Sequence, residues 1–287
     1  MTQRLSSMRY TRNLRRFSSH ARHFIKKLGC KQNEQLHFIL VHDDKNKNKR
    51  FSSSSNHPAM TLHKPLNLLE RSTPQFTLFS KRNKLIHVLS QNKRGYAVFM
   101  EINYRETRTG DFKKIRAQFI DVDLNKISVH LDTKEQVKQM IESIQSDPAE
   151  QLQSITVKKN KQGRYHLLAL RKKQRVTKLK NAFIKKFKIQ IKDTMIIETK
   201  NGYHIYWVLQ GGSVSKFVPI QKALAKKFSS DPMITNLSRV MRIPGFYHMK
   251  NPRSPFMVRV KQLGRKKPFS QEEIIHSLAL EPFNQLI

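Results

Sequence analysis

The sequence predicts a mixed α+β fold, and three local patterns lead to this class. Apolar runs typical of buried strands, such as Ile115–Asp123, alternate along the chain with segments whose apolar residues recur at helical spacing. Asn201-Gly202 separates two apolar runs and favours a hairpin turn between antiparallel strands. Thr133, followed three residues later by Gln136, is typical of a capped helix start. Because hairpins occur together with crossovers, we expect neither a helical bundle nor a β-sandwich.

The individual elements follow in order from residue 63. Strands are predicted over Tyr96–Asn103, Ile115–Asp123, Ser154–Lys158, Tyr165–Leu170, Thr194–Glu198, Tyr203–Leu209 and Met257–Val260. Helices are predicted over Lys84–Ser90, from Asp132/Thr133 onward, and over Thr177–Phe187, Ser215–Phe228 and Gln271–Ala279. Upstream of these, Gln35–Val41 is predicted to be one short strand, and Asp43–Arg50 a solvated charged loop.

The charge of the chain indicates a polyanionic partner. Among its 287 residues, 56 Lys and Arg stand against 20 Asp and Glu, a formal charge of +36. Such an excess repels itself unless it is neutralised, so nucleic acid is the first expected partner and an acidic membrane surface the second. Cys30, the single cysteine, excludes an intramolecular disulfide, a cysteine-based zinc site and an iron–sulfur cluster within the chain. The sequence contains no run of about 18 apolar residues, so we expect no membrane-spanning helix. Together with the charge and the single cysteine, this predicts a cytoplasmic protein associated with the nucleoid or replicon.

Residues 1–62 are predicted to form a basic N-terminal arm, partly disordered, ahead of a catalytic domain over residues 63–287. Nine basic residues lie between Arg4 and Lys31, and the first acid is Glu34. Three interpretations remain open. The arm contacts phosphates, or it is a plain solvated tail, or it is an Arg- and Ser-rich organelle transit peptide.

Asp121 and Asp123 are the first candidate site residues. Residues i and i+2 of a strand point to the same face, so both carboxylates project together from the end of a buried strand. Two adjacent negative charges there are costly unless a cation compensates them, and oxygen ligands suit Mg²⁺ or Mn²⁺. The alternative is two solvated carboxylates where a strand runs into a loop.

Two further motifs carry groups that bind phosphate. His204 lies early on the strand after the Asn201-Gly202 turn, where it can reach a phosphate or a metal-bound group, or can be a core residue with satisfied hydrogen bonds. Arg239 and Arg242 are three residues apart, so on a helical turn they would share a face and clamp a phosphate chain. Arginines at this spacing are also common on solvated faces.

A long basic stretch follows the aspartate pair. No acid occurs between Glu150 and Asp193, while fourteen Lys and Arg occur from Lys158 to Lys192. We expect the basic residues to contact a nucleic-acid backbone, and the aromatic residues among them to belong to the core. The candidates for backbone contact are Lys158, Lys159, Lys161, Arg164, Arg171, Lys172, Lys173 and Arg175.

Several catalytic motifs are missing from the sequence. It has no GxxxxGK[ST] phosphate loop, so an ATPase or helicase motor is not expected in this chain. A His-hydrophobic-His triplet, a GxSxG elbow and an HExxH zinc motif are also absent, which argues against a nicking initiator, a serine hydrolase and a zinc protease.

Taken in order, the motifs resemble the archaeo-eukaryotic primase superfamily, and within it the RepB-like primases and primase-polymerases of plasmids, phages and mobile elements. The family pattern is a strand ending in DxD, a strand bearing small-x-His, and a third acid leading into RxxRxPG. The matching segments are Phe119–Asp123, Asn201–Trp207 and Ser230–Gly245, with Lys93–Asn103 as the strand that precedes them. The resemblance extends over roughly Leu85–Lys261.

The resemblance implies a role for each matching residue. Asp121, Asp123 and Asp231 correspond to the metal-binding acids, and His204 to the histidine that contacts the phosphates of the incoming nucleotide. Arg239 and Arg242 would engage the triphosphate or the template. The sequence departs from the family at three positions. Relatives often have an aspartate at the position of Asn236, some branches have a small hydroxyl residue in place of Gly202, and many have an asparagine in place of His248.

The fold and activity implied are those of a primase catalytic core, an RRM-like antiparallel sheet flanked by helices. Such a protein makes short primers on a single-stranded DNA template from nucleoside triphosphates, with Mg²⁺ or Mn²⁺ as cofactor and two-metal-ion catalysis. A replicative helicase on a separate chain is the expected partner, since the motor motif is missing. The alternative is a non-catalytic nucleic-acid-binding replication protein on a degenerate primase fold, which the Asn236 departure favours.

Overall fold

A computed structural model describes residues 19–30, 35–44, 60–65, 77–79, 85–105 and 112–281. In chain order the strands are β1 (Gln35–His42), β2 (Met60–Pro65), β3 (Thr77–Phe79), β4 (Leu85–His87), β5 (Tyr96–Glu101), β6 (Tyr104–Arg105), β7 (Phe112–Asp123), β8 (Lys126–Leu131), β9 (Leu152–Lys159), β10 (Tyr165–Arg171), β11 (Met195–Glu198), β12 (Gly202–Gly212), β13 (Val240–Arg242), β14 (Tyr247–His248), β15 (Phe256–Met257) and β16 (Arg259–Gln262). The helices are α1 (19–27), α2 (Val88–Lys93), α3 (Lys134–Ser146), α4 (Lys173–Lys186), α5 (Lys188–Ile191), α6 (Val214–Phe228) and α7 (Gln271–Ser277). Two 3₁₀ turns, Pro148–Glu150 and Pro232–Thr235, complete the set.

Antiparallel pairing dominates the described strands. A five-stranded sheet has the order β16-β11-β12-β7-β6, a four-stranded sheet β13-β5-β1-β2, and a small sheet β8-β10-β9. The pairs β14-β15 and β3-β4 stand apart as two-stranded ribbons. All pairs within these sheets are antiparallel, and helices flank them, so the predicted mixed α+β class is confirmed.

The five-stranded sheet is the centre of the molecule because its two longest strands are covered on both faces. Residues 115–120 of β7 and 202–209 of β12 are buried throughout. Most of these side chains are apolar, and Arg116 and Gln118 are buried polar exceptions on β7. One hydrophobic core surrounds this sheet and includes Trp207, Tyr206 and Phe119.

Two segments upstream of residue 62 are part of this same core. In helix α1, Phe24 and Ile25 are fully buried, and Phe24 makes an edge-to-face contact with Tyr206 at a ring-centroid distance of 5.4 Å. Strand β1 pairs with β5 and buries Phe38. The sequence prediction had placed both α1 and β1 in the basic N-terminal arm, on the basis of amino-acid composition. Residues 1–18, 31–34 and 45–59 of the predicted arm lie outside the described residues, and the boundary at residue 62 stays a prediction.

The small sheet forms a subdomain between β7 and α4. It has a separate hydrophobic cluster, in which Val137 and Ile144 of α3 pack on Leu167 and Ala169 of β10. Its two ends meet at Arg171, whose backbone N–H donates to the carbonyl of Asn125 over 2.8 Å. The chain therefore enters this subdomain at Asn125 and leaves it at Arg171, and these two residues are neighbours beside the end of β7.

Most predicted elements occur within a few residues of their expected bounds. Thr133 caps α3 through a reciprocal bond with Gln136, as predicted. The expected helix over Lys84–Ser90 was wrong in its first half, because β4 precedes α2 there. Asp43 was also wrongly placed in a solvated loop, since its side chain is only 4% exposed. None of the described helices is long and apolar enough to cross a membrane.

Candidate active site

Strand register brings the first two aspartates to the predicted histidine. β7 and β12 are antiparallel neighbours, and His204 pairs directly with Asp121 while Gly202 pairs with Asp123. Partners in register carry their side chains on the same face. The Nε2 atom of His204 lies 3.6 Å from the Oδ1 atom of Asp121. Three predicted site residues thus lie at one end of the central sheet.

Gly202 makes this close pairing possible. A Cβ atom at this position would lie 1.7 Å from the carbonyl oxygen of Val122, which belongs to the neighbouring backbone and cannot move aside. A side chain here would push β12 away from the aspartate-bearing strand. The departure from a small hydroxyl residue therefore has a steric cause in this chain.

A backbone hydrogen bond joins the third acid, Asp231, to the first, Asp121. The N–H of Asp231 donates to the carbonyl of Asp121 over 3.1 Å. The Asp231 carboxylate also caps the 3₁₀ turn that follows, accepting from the N–H of Met233 at 2.9 Å. The three acids predicted from the family pattern therefore occupy the same end of β7.

A buried glutamine holds this arrangement along the same edge of β7. Gln221 of α6 accepts from the N–H of Phe119 and donates to its carbonyl, both at 2.9 Å, and donates to the carbonyl of Ile234 at 3.0 Å. Gln221 is fully buried. It thus joins the strand of Asp121 to the turn that follows Asp231, and nothing in its local sequence indicates this role.

Arg239 lies with the acids, and Asn236 does not. The Nη2 atom of Arg239 is 3.4 Å from an Asp231 carboxylate oxygen. Asn236 is exposed, and its amide oxygen accepts from the N–H and the hydroxyl of Ser238. The side chain at position 236 therefore stabilises a local turn, which an aspartate would do equally well.

Arg242 has a partner that the sequence did not predict. Its guanidinium donates to both carboxylate oxygens of Asp43, at 2.8 and 3.3 Å, and its side chain is 11% exposed. It also stands over the ring of Phe99, 4.9 Å from the centroid. The expectation that Arg239 and Arg242 share a helical face was wrong, because Arg242 ends strand β13. Its binding to nucleotide stays a prediction.

His248 lies behind this ion pair as a neutral histidine. It is 8% exposed, and its Nε2 atom has no hydrogen-bond partner in the described structure. Burial, followed by the charge of Arg242, lowers the pKa of His248 to about 4. Burial also acts to raise the pKa of Asp43, but hydrogen bonding and charge from Arg242 outweigh it, and the net pKa is lowered.

Burial is the largest influence on the pKa of Asp121. The pKa of Asp121 is raised, first by burial, and further by the carboxylates of Asp123 and Asp231. His204 and Arg239 oppose this rise. The pKa of His204 is lowered, again first by burial, so its imidazole is neutral at pH 7.

Tyr206 orients the histidine from inside the core. A hydrogen bond of 3.4 Å joins the Tyr206 hydroxyl to Nδ1 of His204, which leaves Nε2 directed at Asp121. Tyr206 is fully buried, and burial raises its pKa well above the ordinary value. Alternation along β12 puts Tyr206 on the same face as His204, and this is the signal that would have identified it.

The donor set suits a divalent cation, although the side chains have other partners in the structure. Carboxylate oxygens are the ligands that Mg²⁺ and Mn²⁺ prefer, and the mutual repulsion at Asp121 is what a cation would relieve. Asp123 accepts from the N–H of Asn125 and lies 3.6 Å from Lys126. Among the described residues, no three His, Cys, Asp or Glu side chains are grouped closely enough to hold an ion.

The eight basic candidates divide into two groups. Arg164 pairs with Asp132, and Arg171 and Arg175 both pair with Glu150. The remaining candidates are exposed lysines, namely Lys158, Lys159, Lys161, Lys172 and Lys173. The aromatic residues of this basic stretch pack as expected. Phe183 and Phe187 contact each other and the main core, and Tyr165 packs on the hydrophobic cluster of the small sheet.

Paired aspartates on an antiparallel sheet, with a histidine on the adjacent strand, are the arrangement expected of a primase catalytic core. Residues 186–283 match the family described as the RepB DNA-primase N-terminal domain. This match confirms the resemblance to RepB-like primases over the part of the chain that contains His204, Asp231 and both arginines.

Three solved structures resemble the chain loosely. Primase RepB′ aligns with 94% of this chain and 64% of its own length, at 11% identity and a TM-score of 0.48. The catalytic domain of RepB′ in complex with initiator DNA aligns over 94% of this chain and 97% of its own, at 10% identity and a TM-score of 0.48. The primase-polymerase domain of cyanophage S-2L aligns with 91% of this chain and 97% of its own length, at 12% identity and a TM-score of 0.44. No curated protein sequence matches the chain.

Proposed function

We propose that this protein is a DNA primase or primase-polymerase, which makes short primers on single-stranded DNA by template-directed nucleotidyl transfer in the replication of a plasmid, phage or mobile element. The observation that carries the proposal is the bond from the Asp231 N–H to the Asp121 carbonyl. It joins the third acid of the family pattern to the first two, in a chain with only 20 acids.

Each residue has a defined task in this proposal. Asp121, Asp123 and Asp231 would hold divalent cations, Mg²⁺ or Mn²⁺, which supply activation of the primer 3′-hydroxyl and neutralise charge on the transferred phosphoryl group. Lys126 and Arg239 occupy two of these carboxylates and would have to release them. Arg239 is then available for the triphosphate, with charge-assisted hydrogen bonds that strengthen as negative charge develops.

His204 would contact the triphosphate as a neutral donor. Its imidazole is held by Tyr206 on one side and faces Asp121 on the other. Because the imidazole of His204 is neutral and its orientation is fixed, it can donate a hydrogen bond without the free-energy cost of burying an imidazolium charge. Arg242 would hold β13 behind the site through its pair with Asp43, and its direct contact with the triphosphate stays a prediction.

A primer-synthesis assay tests the proposal directly. On single-stranded DNA with labelled nucleotides and Mn²⁺ or Mg²⁺, Asp121→Asn/Asp123→Asn should reduce synthesis by about 10³-fold or more, since several kcal/mol of transition-state stabilisation are lost. Asp132→Asn is the matched control, an exposed aspartate that pairs with Arg164. Undiminished synthesis by the double variant would show that the mechanism is wrong.

A non-catalytic nucleic-acid-binding protein is the second candidate function. The observation that favours it is the lack of a close group of three metal-ligating side chains in the described residues. The same assay separates the two functions. If the wild-type protein binds DNA but forms no product with either metal or with either ribo- or deoxyribonucleotides, the second function stands.

A further inference from the structure

The small sheet has one face covered by α3 and one face open. Alternate residues of its strands point away from α3, and cross-strand partners form three rows of three. We define the open face by these rows, Ser154–Leu170–Lys126, Thr156–Leu168–Ser128 and Lys158–His166–His130. The middle strand contributes half-buried side chains and the outer strands exposed ones.

The chemistry of the open face is uniform. None of its nine side chains is a carboxylate, a lysine stands at each end, and three hydroxyl groups lie between. Leu168 and Leu170 place apolar surface in the middle row and the first row. Positive charge, hydroxyl donors and flat or apolar surface together are what a nucleic-acid strand requires from a binding surface.

Two histidines form a stacked pair in the row farthest from the aspartates. The rings of His130 and His166 lie 4.6 Å apart with an interplanar angle of 17°. A hydrogen bond of 2.8 Å to Ser128 fixes His166. His130 is exposed on β8, which is an edge strand, so no further strand of this sheet covers its outer side. A base can extend the stack there.

The opposite end of the open face adjoins the candidate active site. Lys126, in the first row, lies 3.6 Å from the carboxylate of Asp123. Row spacing follows the strand rise, about 7 Å for two residues, so the histidine pair is about 14 Å farther out. A single strand of nucleic acid that passes from the histidine row to the row of Lys126 therefore arrives at the aspartates.

We propose that the open face binds single-stranded nucleic acid, with a base stacked on the His130–His166 pair and phosphates at Lys126 and Lys158. Its use as the track for the template rests on the proposed function. Binding itself does not, because it requires neither nucleotide nor metal.

The test measures binding of the full chain to a fluorescent single-stranded oligonucleotide by anisotropy, without nucleotide or metal, at several salt concentrations. Lys126→Gln/Lys158→Gln should weaken binding and reduce the slope of log affinity against log salt by about 1.4, the loss of two phosphate contacts. Lys134→Gln/Lys138→Gln removes two exposed charges from α3 and is the matched control. Equal effects of the two double variants would overturn the proposal.

Stacking is tested separately from charge. His130→Ala/His166→Ala should weaken binding about tenfold, the typical loss of one base–aromatic stack, and His130→Phe/His166→Phe should restore it. An abasic oligonucleotide should bind wild type and the alanine variant alike. The stacking role is wrong if the alanine variant binds the ordinary oligonucleotide with the affinity of wild type. It is also wrong if the alanine substitutions reduce affinity for the abasic oligonucleotide as much as for the ordinary one. Because no synthesis is measured, these outcomes are distinct from those of the aspartate variants.

Discussion

The candidate active site and the open face lie side by side, yet they are built in opposite ways. The active site gathers residues from β7, β12, α6 and the turn after α6, with Asp43 just beyond the end of β1. Buried bonds such as that of Gln221 to Phe119 join these elements. The open face comes from one contiguous stretch, residues 126–171, whose strands pair locally. The positions of the functional side chains are therefore fixed by long-range buried contacts at the active site, and by hairpin register at the open face.

The largest expected effect comes from breaking the buried pair behind the active site. Asp43→Ala leaves the Arg242 guanidinium without its counter-ion and should reduce the free energy of unfolding by about 3 to 5 kcal/mol, measured by urea denaturation. Asp44→Ala, at the neighbouring exposed aspartate, should cost about 1 kcal/mol or less.

A variant that also removes Arg242 tests whether Asp43 and Arg242 act as a pair. Asp43→Ala/Arg242→Ala should recover part of the loss, because no unpaired charge remains buried. If the double variant is as unstable as the sum of the single ones, the pair does not act as a unit. Oligonucleotide binding at the open face should be unchanged throughout, provided that the measurement is made well below the unfolding transition.

A smaller effect is expected from the buried glutamine. Gln221→Leu leaves one N–H and two carbonyls without their partner and should lower stability by about 2 to 3 kcal/mol. Since the same bonds join β7 to the turn after Asp231, primer synthesis at a temperature where the variant is fully folded should fall as well. Gln210→Leu, at an exposed position of β12, is the control. Loss of stability with full synthesis would contradict the positioning role.

The smallest effect depends on pH. Folding lowers the pKa of His248 from 6.5 to about 4, so its stabilising contribution is complete above pH 6.5 and is lost as the pH falls toward 4. Between pH 7 and pH 5 wild type should therefore lose about 2 kcal/mol of unfolding free energy through this histidine, and His248→Asn should not show that loss. Parallel denaturation curves for the two proteins across this range would refute it.

The sequence predicted what depends on neighbours along the chain. The DxD at the end of a buried strand, the Asn201-Gly202 hairpin and the Thr133 cap are local patterns, and each appears in the structure. The family pattern added Asp231, because its spacing ahead of Arg239 is also a local quantity.

Contacts between distant segments could not be predicted in this way. Gln221 is an ordinary helix residue until β7 presents an unpaired backbone edge to it. Asp43 precedes a run of charged residues, and such composition indicates solvent, yet its partner Arg242 lies in a different part of the chain. Both are decided by tertiary packing, which leaves no trace in local residue patterns.

The single junction of the small subdomain has a consequence for how such a chain can evolve. Asn125 and Arg171 are held together by a backbone hydrogen bond, and the guanidinium of Arg171 also donates to the carbonyl of Leu124. A change on the surface of the small sheet would leave the paired strands of the central sheet in place, because this subdomain has its own hydrophobic cluster and its own strand pairing. Substitutions on the open face, which we propose binds nucleic acid, can thus accumulate while the strand that carries Asp121 and Asp123 keeps its sequence.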